Sequence, residues 1–170
     1  MNETFSLNVL ISLWPGLLLV AGVVDDLRSK KIHNKLIIVL FFLTLLLISF
    51  GGGQDRLITG LWGFSLGILL GAPLVLLGIL GGGDFKLMAV IGLATDWNSL
   101  LWMSVYSILW GGLLGLVRAI LDKSALQLIK NSFAILNPLT KKEEITLHKI
   151  PYSIALFFGW ITYTFLVGRV

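Results

Sequence analysis

The stretch GGGDFK, residues 81–86, separates two apolar runs of the chain. A 24-residue apolar run, 57–80, precedes it, and a shorter apolar run follows it directly. Glycine lowers the stability of a helix, and an aspartate beside lipid is costly. The question raised by this stretch is why a chain so rich in apolar runs places both residue types at one point.

The composition predicts a membrane protein. Hydrophobic residues make up 56% of the 170 residues, charged residues only 13%, and the mean hydropathy is +0.93. Soluble domains are closer to half apolar and a quarter charged, and about 20 apolar residues cross the hydrocarbon of a bilayer. The runs predict a single all-α polytopic domain over residues 1–170 with six transmembrane helices, at 7–24, 35–50, 57–80, 85–95, 99–121 and 150–168.

The distribution of Lys and Arg predicts the orientation of these helices. If all six cross the bilayer, eleven basic residues lie on one side, and only Arg56 and Arg169 lie on the other. The positive-inside rule places the larger set in the cytoplasm and both termini outside. A re-entrant fourth segment would move the basic 118–149 region outside, which argues that this segment crosses. The larger set is Arg28, Lys30, Lys31, Lys35, Lys86, Arg118, Lys123, Lys130, Lys141, Lys142 and Lys149.

The segment 122–149 is the longest polar stretch between the predicted helices. Its apolar residues have the spacing of an amphipathic helix on the cytoplasmic surface, closed by Pro138, although a plain linker explains the segment nearly as well. The N-terminus lacks the basic region of a cleavable signal peptide, so we expect the first helix to remain in the protein. The expected location is the cell (inner or cytoplasmic) membrane, with lipid rather than nucleic acid as the surroundings. The apolar residues are Leu126, Ile129, Phe133 and Leu136.

Three acids lie at one predicted face of the membrane, with Asp25 and Asp26 after the first helix and Asp84 after the third. The similar stretch GGGQD, 51–55, lies on the opposite face and is interpreted as an ordinary glycine turn. One interpretation makes Asp84 a helix N-cap and the acids of the first loop part of a hydrated cluster of paired charges. The other makes two of the acids a catalytic pair that shares a proton, one activating water and the other donating to a scissile carbonyl.

The glycines favour the catalytic interpretation. Without side chains, Gly81 and Gly83 would let an extended substrate approach the acid, and irregular backbone is tolerated beside a protein-lined cavity. Lys86 either orients this loop or is only a basic anchor at the membrane surface. The chain has no cysteine and two histidines in different loops, so the sequence predicts no cofactor and no metal site.

Three stretches resemble the type IV prepilin peptidases. DLRSKKIHN, 26–34, is similar to their D-x-x-x-x-x-I/L-P-N/D motif, GGGDFKL, 81–87, is similar to G-x-G-D-x-K-L, and KIPYSIALFFG, 149–159, resembles their last helix. The resemblance implies a GxGD membrane aspartic protease with Asp26 and Asp84 as the catalytic residues. It also implies that the substrates are pilin-like precursors, whose short basic leader is removed at the cytoplasmic face. Counting from Asp26, rather than from Asp25, places Ile32 and Asn34 in the motif.

Two features depart from the family pattern. His33 stands where the family usually has proline, and the chain lacks the cysteine-bearing domain of the larger members that also N-methylate the pilin. The expectation is therefore a short form that acts as a peptidase only. A preflagellin peptidase of the archaeal type and, from another class, a small proton- or ion-coupled transporter are the alternatives. The identity of the precursor and the oligomeric state are left open.

Overall fold

The computed structural model describes residues 2–51, 53–78, 80–121 and 152–167, with side chains from residue 11 onward and excepting that of residue 119. In these residues the protein is all-helical, with six helices and no strand. The predicted amphipathic helix in 122–149 lies outside the described residues. The helices are α1 (Asn2–Ser29), α2 (Asn34–Gly51), α3 (Gly53–Leu76), α4 (Gly82–Ala94), α5 (Trp97–Leu121) and α6 (Tyr152–Leu166).

Three helices are long and apolar enough to cross a membrane, namely α2, α3 and the part of α5 from Trp97 to Arg118. The helix α6 is apolar but shorter. Large apolar side chains point outward from these helices, and Phe50 and Leu69 are 84% and 68% exposed. A soluble protein rarely exposes so much contiguous apolar surface, whereas lipid covers such a surface without cost.

The short helix α4 forms the centre of the bundle. All its residues from Leu87 to Ala94 are buried, and it packs against each of the other five helices. A helix that is apolar on every side is typical of such a position. At about 20 Å, its 13 residues are short for a bilayer. Protein therefore covers α4 on all sides, and its N-terminal acid lies against neighbouring helices instead of lipid.

Glycines on α3 bring its backbone against that of α4. A Cβ atom on Gly63 would overlap the carbonyl of Gly92, and one on Gly67 would lie 2.8 Å from the Cα of Ala89. Gly60 and Gly71 continue this buried stripe. Small residues in such a row let two helices in a membrane approach closely and gain dispersion energy. Several glycines that interrupt the apolar run of α3 are therefore packing positions.

The helix boundaries differ from the sequence prediction at two functional points. The first helix continues to Ser29, so that Asp25 and Asp26 belong to its last turns and not to a loop. The fourth helix begins at Gly82, so Asp84 is its third residue. Tertiary packing extends both helices beyond their apolar runs, because Asp26 and Asp84 are covered by neighbouring helices. The helix α2 ends at Gly51 and α3 begins at Gly53, so the described residues of the predicted glycine turn at 51–55 are helical.

Candidate active site

Asp26 is a buried acid near the end of α1, with only 8% of its surface exposed. The helix ends shortly after it, where Lys30 takes a positive φ of 54° and its N–H donates to the Asp26 carbonyl at 2.7 Å. This left-handed residue reverses the chain and directs Ile32 back toward the bundle. Ile32 is itself buried and packs against the first turn of α4.

Asp84 lies in that first turn of α4. Gly81 is the N-cap of the helix and makes no side-chain capping bond, so the interpretation of Asp84 as the N-cap is wrong. The carboxylate is instead turned toward the protein. Its Oδ1 atom is buried and has no hydrogen-bond partner among the described residues. An unpaired buried carboxylate oxygen lowers the stability of a protein. Its presence therefore indicates that Asp84 has a function other than stabilising the fold.

Ser153 joins the two acids. It is fully buried in α6, and its hydroxyl donates to Oδ2 of Asp26 at 2.6 Å. The backbone of the same residue lies close enough to Asp84 to hydrogen-bond with it. Three helices that are distant in the sequence, α1, α4 and α6, therefore meet at one pair of carboxyl groups. Among the described residues, no basic side chain forms an ion pair with either acid.

The surroundings of Asp84 favour its protonated form. Asp84 lies outside the three long apolar spans, and burial, with the nearby Asp26 as the second cause, raises its pKa to about 7, although the backbone of Ser153 opposes the shift. Desolvation and a like charge both disfavour a carboxylate. At neutral pH the pair can therefore hold one proton, and this proton resides on Asp84 for much of the time.

Asp25 occupies a different environment although it adjoins Asp26. Its carboxylate accepts a hydrogen bond from the His33 backbone N–H at 2.7 Å and lies 3.0 Å from the His33 ring. The hydrogen bond from the His33 backbone is the largest cause of the lowered pKa of Asp25. Asp25 thus stabilises the turn after α1. The partner of His33, which stands where the family motif has proline, is the Asp25 carboxylate.

The glycines near Asp84 lie close to other residues of the protein. A Cβ on Gly81 would lie 2.7 Å from Oδ2 of Asp84, and one on Gly83 would lie 2.8 Å from the Cβ of Ile32. The Gly83 contact, which includes the Ile32 backbone, requires glycine at that position, whereas the Gly81 contact is with the end of the Asp84 side chain. The role of both glycines in substrate approach stays a prediction. Lys86 is exposed and donates to Oδ1 of Asn34 at 2.8 Å, which ties α4 to the start of α2.

A separate cavity lies at the far end of α4. Its volume is about 220 Å³, and polar groups of Arg56, Asp96, Ser99 and Tyr163 contribute to its lining. Asp96 accepts a hydrogen bond from the Ser99 N–H at 2.9 Å and so caps the N-terminus of α5. This structural role explains the presence of an acid in the lining. Neither acid of the pair lines this cavity. Among the described residues, no group of three or more His, Cys, Asp or Glu side chains is placed to hold a metal ion.

The sequence predicts Asp26 and Asp84 as site residues but not Ser153. A single serine at the start of an apolar run carries no signal of its own. Its contact with Asp26 spans 127 positions of the chain. Only the packing of α6 against α1 brings the two together.

The chain matches the sequence model of the type IV leader peptidase family over residues 13–116, which is more than half of its length. The matched region contains both acids of the pair and ends before α6. No curated protein and no solved structure gives a significant match.

Proposed function

The chain belongs to the type IV leader peptidase family, and we propose that it is an aspartic endopeptidase that removes the leader of pilin-like precursors. The observation that carries the proposal is the pairing of Asp26 with Asp84 around Ser153. Two carboxyl groups that share one proton can hydrolyse a peptide bond without a covalent intermediate.

The two acids have different parts in the reaction. Asp26, which accepts the hydroxyl of Ser153, is the ionised member and serves as the general base. Asp84, whose buried position keeps it protonated, serves as the general acid. The Oδ1 of Asp84 is unpaired but buried, so it meets the substrate carbonyl only after the groups that cover it move aside.

Asp26 and Asp84 together account for every proton that is transferred during hydrolysis. Asp26 removes a proton from a water molecule as the water oxygen attacks the scissile carbonyl carbon, while Asp84 transfers its proton to the carbonyl oxygen. The tetrahedral diol collapses with cleavage of the C–N bond, and the proton held by Asp26 passes to the leaving nitrogen. The second hydroxyl proton returns to Asp84, which restores the starting state of the pair.

The position of the pair limits the substrate. Asp26 lies at the end of α1 and Asp84 at the start of α4, so both acids lie toward one end of the bundle. A cleavable bond at that depth belongs to a substrate with a short soluble leader followed at once by an apolar helix. A small residue such as glycine before the cut would keep the substrate backbone close to the acids. Basic residues in the leader would favour the cytoplasmic side.

The proposed setting is the cytoplasmic membrane, with six crossings and both termini outside. Three apolar spans and the excess of basic residues on one side support this arrangement. Lys86 is proposed to steady the loop of Gly81 and Gly83 through Asn34, and the loop to receive the residues around the scissile bond.

The proposal is tested with purified protein and a pilin-like precursor in detergent. Wild-type protein should release a new N-terminus at the leader–helix junction, read by mass spectrometry, and a precursor with Val in place of the preceding Gly should resist. Asp84→Asn protein should bind the precursor in a pull-down and leave it intact. A cut within the apolar helix, or turnover by the Asn variant, contradicts the proposal.

The same assay distinguishes one alternative, and the position of the acids bears on the other. A preflagellin precursor offered in parallel shows whether the protein is instead the archaeal-type peptidase, since the chemistry is shared and only the substrate differs. A proton-coupled transporter would have its acids near the middle of the bilayer, whereas Asp26 and Asp84 lie at the ends of their helices.

A further inference from the structure

We propose that Ser153 is a positioning residue that holds Asp26 as the ionised member of the pair and thereby leaves the shared proton on Asp84. The inference rests on the proposed function and assigns a residue that lies outside the region matched by the family. Its basis is the geometry around the Ser153 hydroxyl.

The contact has the length of a charge-assisted hydrogen bond. The distance from Ser153 Oγ to Asp26 Oδ2 is 2.6 Å, and hydroxyl–carboxylate bonds of 2.5–2.7 Å are shorter than neutral ones. Ser153 is fully buried and Asp26 nearly so. Without competing water, the hydroxyl stabilises the carboxylate more strongly than the neutral acid.

The asymmetry of the pair follows from which acid receives the Ser153 hydroxyl. Ser153 gives this hydroxyl to Asp26 in a short bond, whereas the contact of Asp84 is with the Ser153 backbone, and its Oδ1 has no partner among the described residues. Two otherwise similar carboxyl groups would exchange their roles freely. For Asp84, the backbone contact is outweighed by burial and by the charge of Asp26, so the short hydroxyl bond on Asp26 fixes which acid activates water and which donates to the carbonyl.

The other ionisable groups near the pair do not supply this asymmetry. Asp25 on α1 is engaged with His33, and Lys86 on α4 donates to Asn34. On α6, the Tyr152 hydroxyl pairs with Ser107 of α5 at 2.9 Å. Arg28, Lys30, Lys31 and Lys35 are exposed at the end of α1, in the following turn and at the start of α2.

The test compares the pH dependence of cleavage by wild-type protein and the Ser153→Ala variant. A carboxylate that loses a donor is protonated at higher pH, so the acidic limb of the kcat/KM profile should move up by about one pH unit. At the wild-type optimum, kcat should fall about tenfold and KM should change less than twofold. The precursor should still be cut at the same bond.

Two further variants separate positioning from packing. Ser153→Thr keeps the hydroxyl and should restore the wild-type limb even if its methyl group lowers stability. Ser104→Ala removes another buried serine, whose hydroxyl donates only within α5 to the Leu100 carbonyl, and should leave the limb in place.

An unshifted acidic limb in a folded Ser153→Ala protein, or a Ser153→Thr limb as displaced as that of the Ala variant, overturns the inference. Either result would leave the proposed function intact, because wild-type protein would still cleave. Loss of that function would instead appear as no cleavage by wild-type protein.

Discussion

Adjacent acids at positions 25 and 26 lie in different surroundings because a helix turns about 100° per residue. Asp26 faces the bundle and Ser153, while Asp25 faces the turn that contains His33. The side-chain contacts therefore distinguish Asp26, which the sequence register selects, from Asp25, and the role of Asp26 as the base stays a prediction.

The first prediction compares these two acids by isosteric substitution. Asp26→Asn should lower kcat/KM for a pilin-like precursor by at least about 10³-fold, because it removes the base and keeps the shape. Asp25→Asn is the matched control and should stay within about threefold of wild type. The initial rate of leader release measures both. Loss of activity with Asp25→Asn and its retention with Asp26→Asn would contradict the assignment.

The second prediction concerns stability, because the environment of Asp84 disfavours its charged form. The pKa of Asp84 is about 7 in the folded protein and near the ordinary value of about 4 in the unfolded chain. The unfolded chain therefore releases this proton first, and wild-type stability falls as the pH rises from about 4 to about 7. Asn does not titrate. The Tm of Asp84→Asn minus that of wild type should grow across this window by at least about 2 °C.

Asp25 provides a control of opposite sign for that measurement. Its pKa is lowered in the folded protein, so its contribution to stability is present above the ordinary pKa and is lost on acidification. The Tm of Asp25→Asn should therefore lie below that of wild type at neutral pH and approach it at low pH. Parallel pH dependence of the two Asn variants would show that Asp84 is not held in its neutral form.

At the scale of helices, the sequence predicted the type and approximate positions of the elements that the structure describes. Apolar runs gave six helices, and each of the six described helices overlaps a predicted one. The termini of α1 and α4 could not be predicted in the same way. Polar residues such as Asp26 and Asp84 end an apolar run in the sequence, although both remain helical in the packed protein.

The central position of α4 in the bundle also could not be predicted from the sequence. Its apolar run is the shortest of the six and gives no sign of a central position, whereas the structure surrounds it with helices. The reason is the glycine stripe on α3, whose backbone contacts with α4 connect positions about 20 to 35 residues apart. Pairing of this kind depends on which faces meet, and a single sequence does not contain that information.

The third prediction tests this packing. A methyl group on Gly63 would meet the Gly92 carbonyl, so Gly63→Ala should lower the free energy of unfolding by about 1–3 kcal/mol. A Cβ on Gly112, in α5, would meet open space, so Gly112→Ala should be neutral or stabilise by up to about 1 kcal/mol. Thermal unfolding in detergent compares the two variants. Equal effects would contradict a close contact between α3 and α4.

The whole molecule presents apolar side chains outward and places its candidate acids at one end. The orientation of that end decides which part of a precursor can reach them. The helix α2 is about 27 Å long, and Lys30 and Gln54 lie just beyond its two ends. If α2 crosses the bilayer, these two exposed residues lie on opposite sides.

The last prediction uses the absence of natural cysteine, which makes single introduced cysteines unambiguous reporters. Lys30→Cys and Lys142→Cys should react with an impermeant thiol reagent only from the cytoplasmic side, and Gln54→Cys only from outside. The split of eleven basic residues against two favours this orientation over its inverse. Labelling of Lys30→Cys and Gln54→Cys from the same side would show that α2 does not cross. Labelling of Gln54→Cys only from the cytoplasm would place Asp26 and Asp84 outside. A leader in the cytoplasm could not reach them there, so the pair could not act on the proposed substrate.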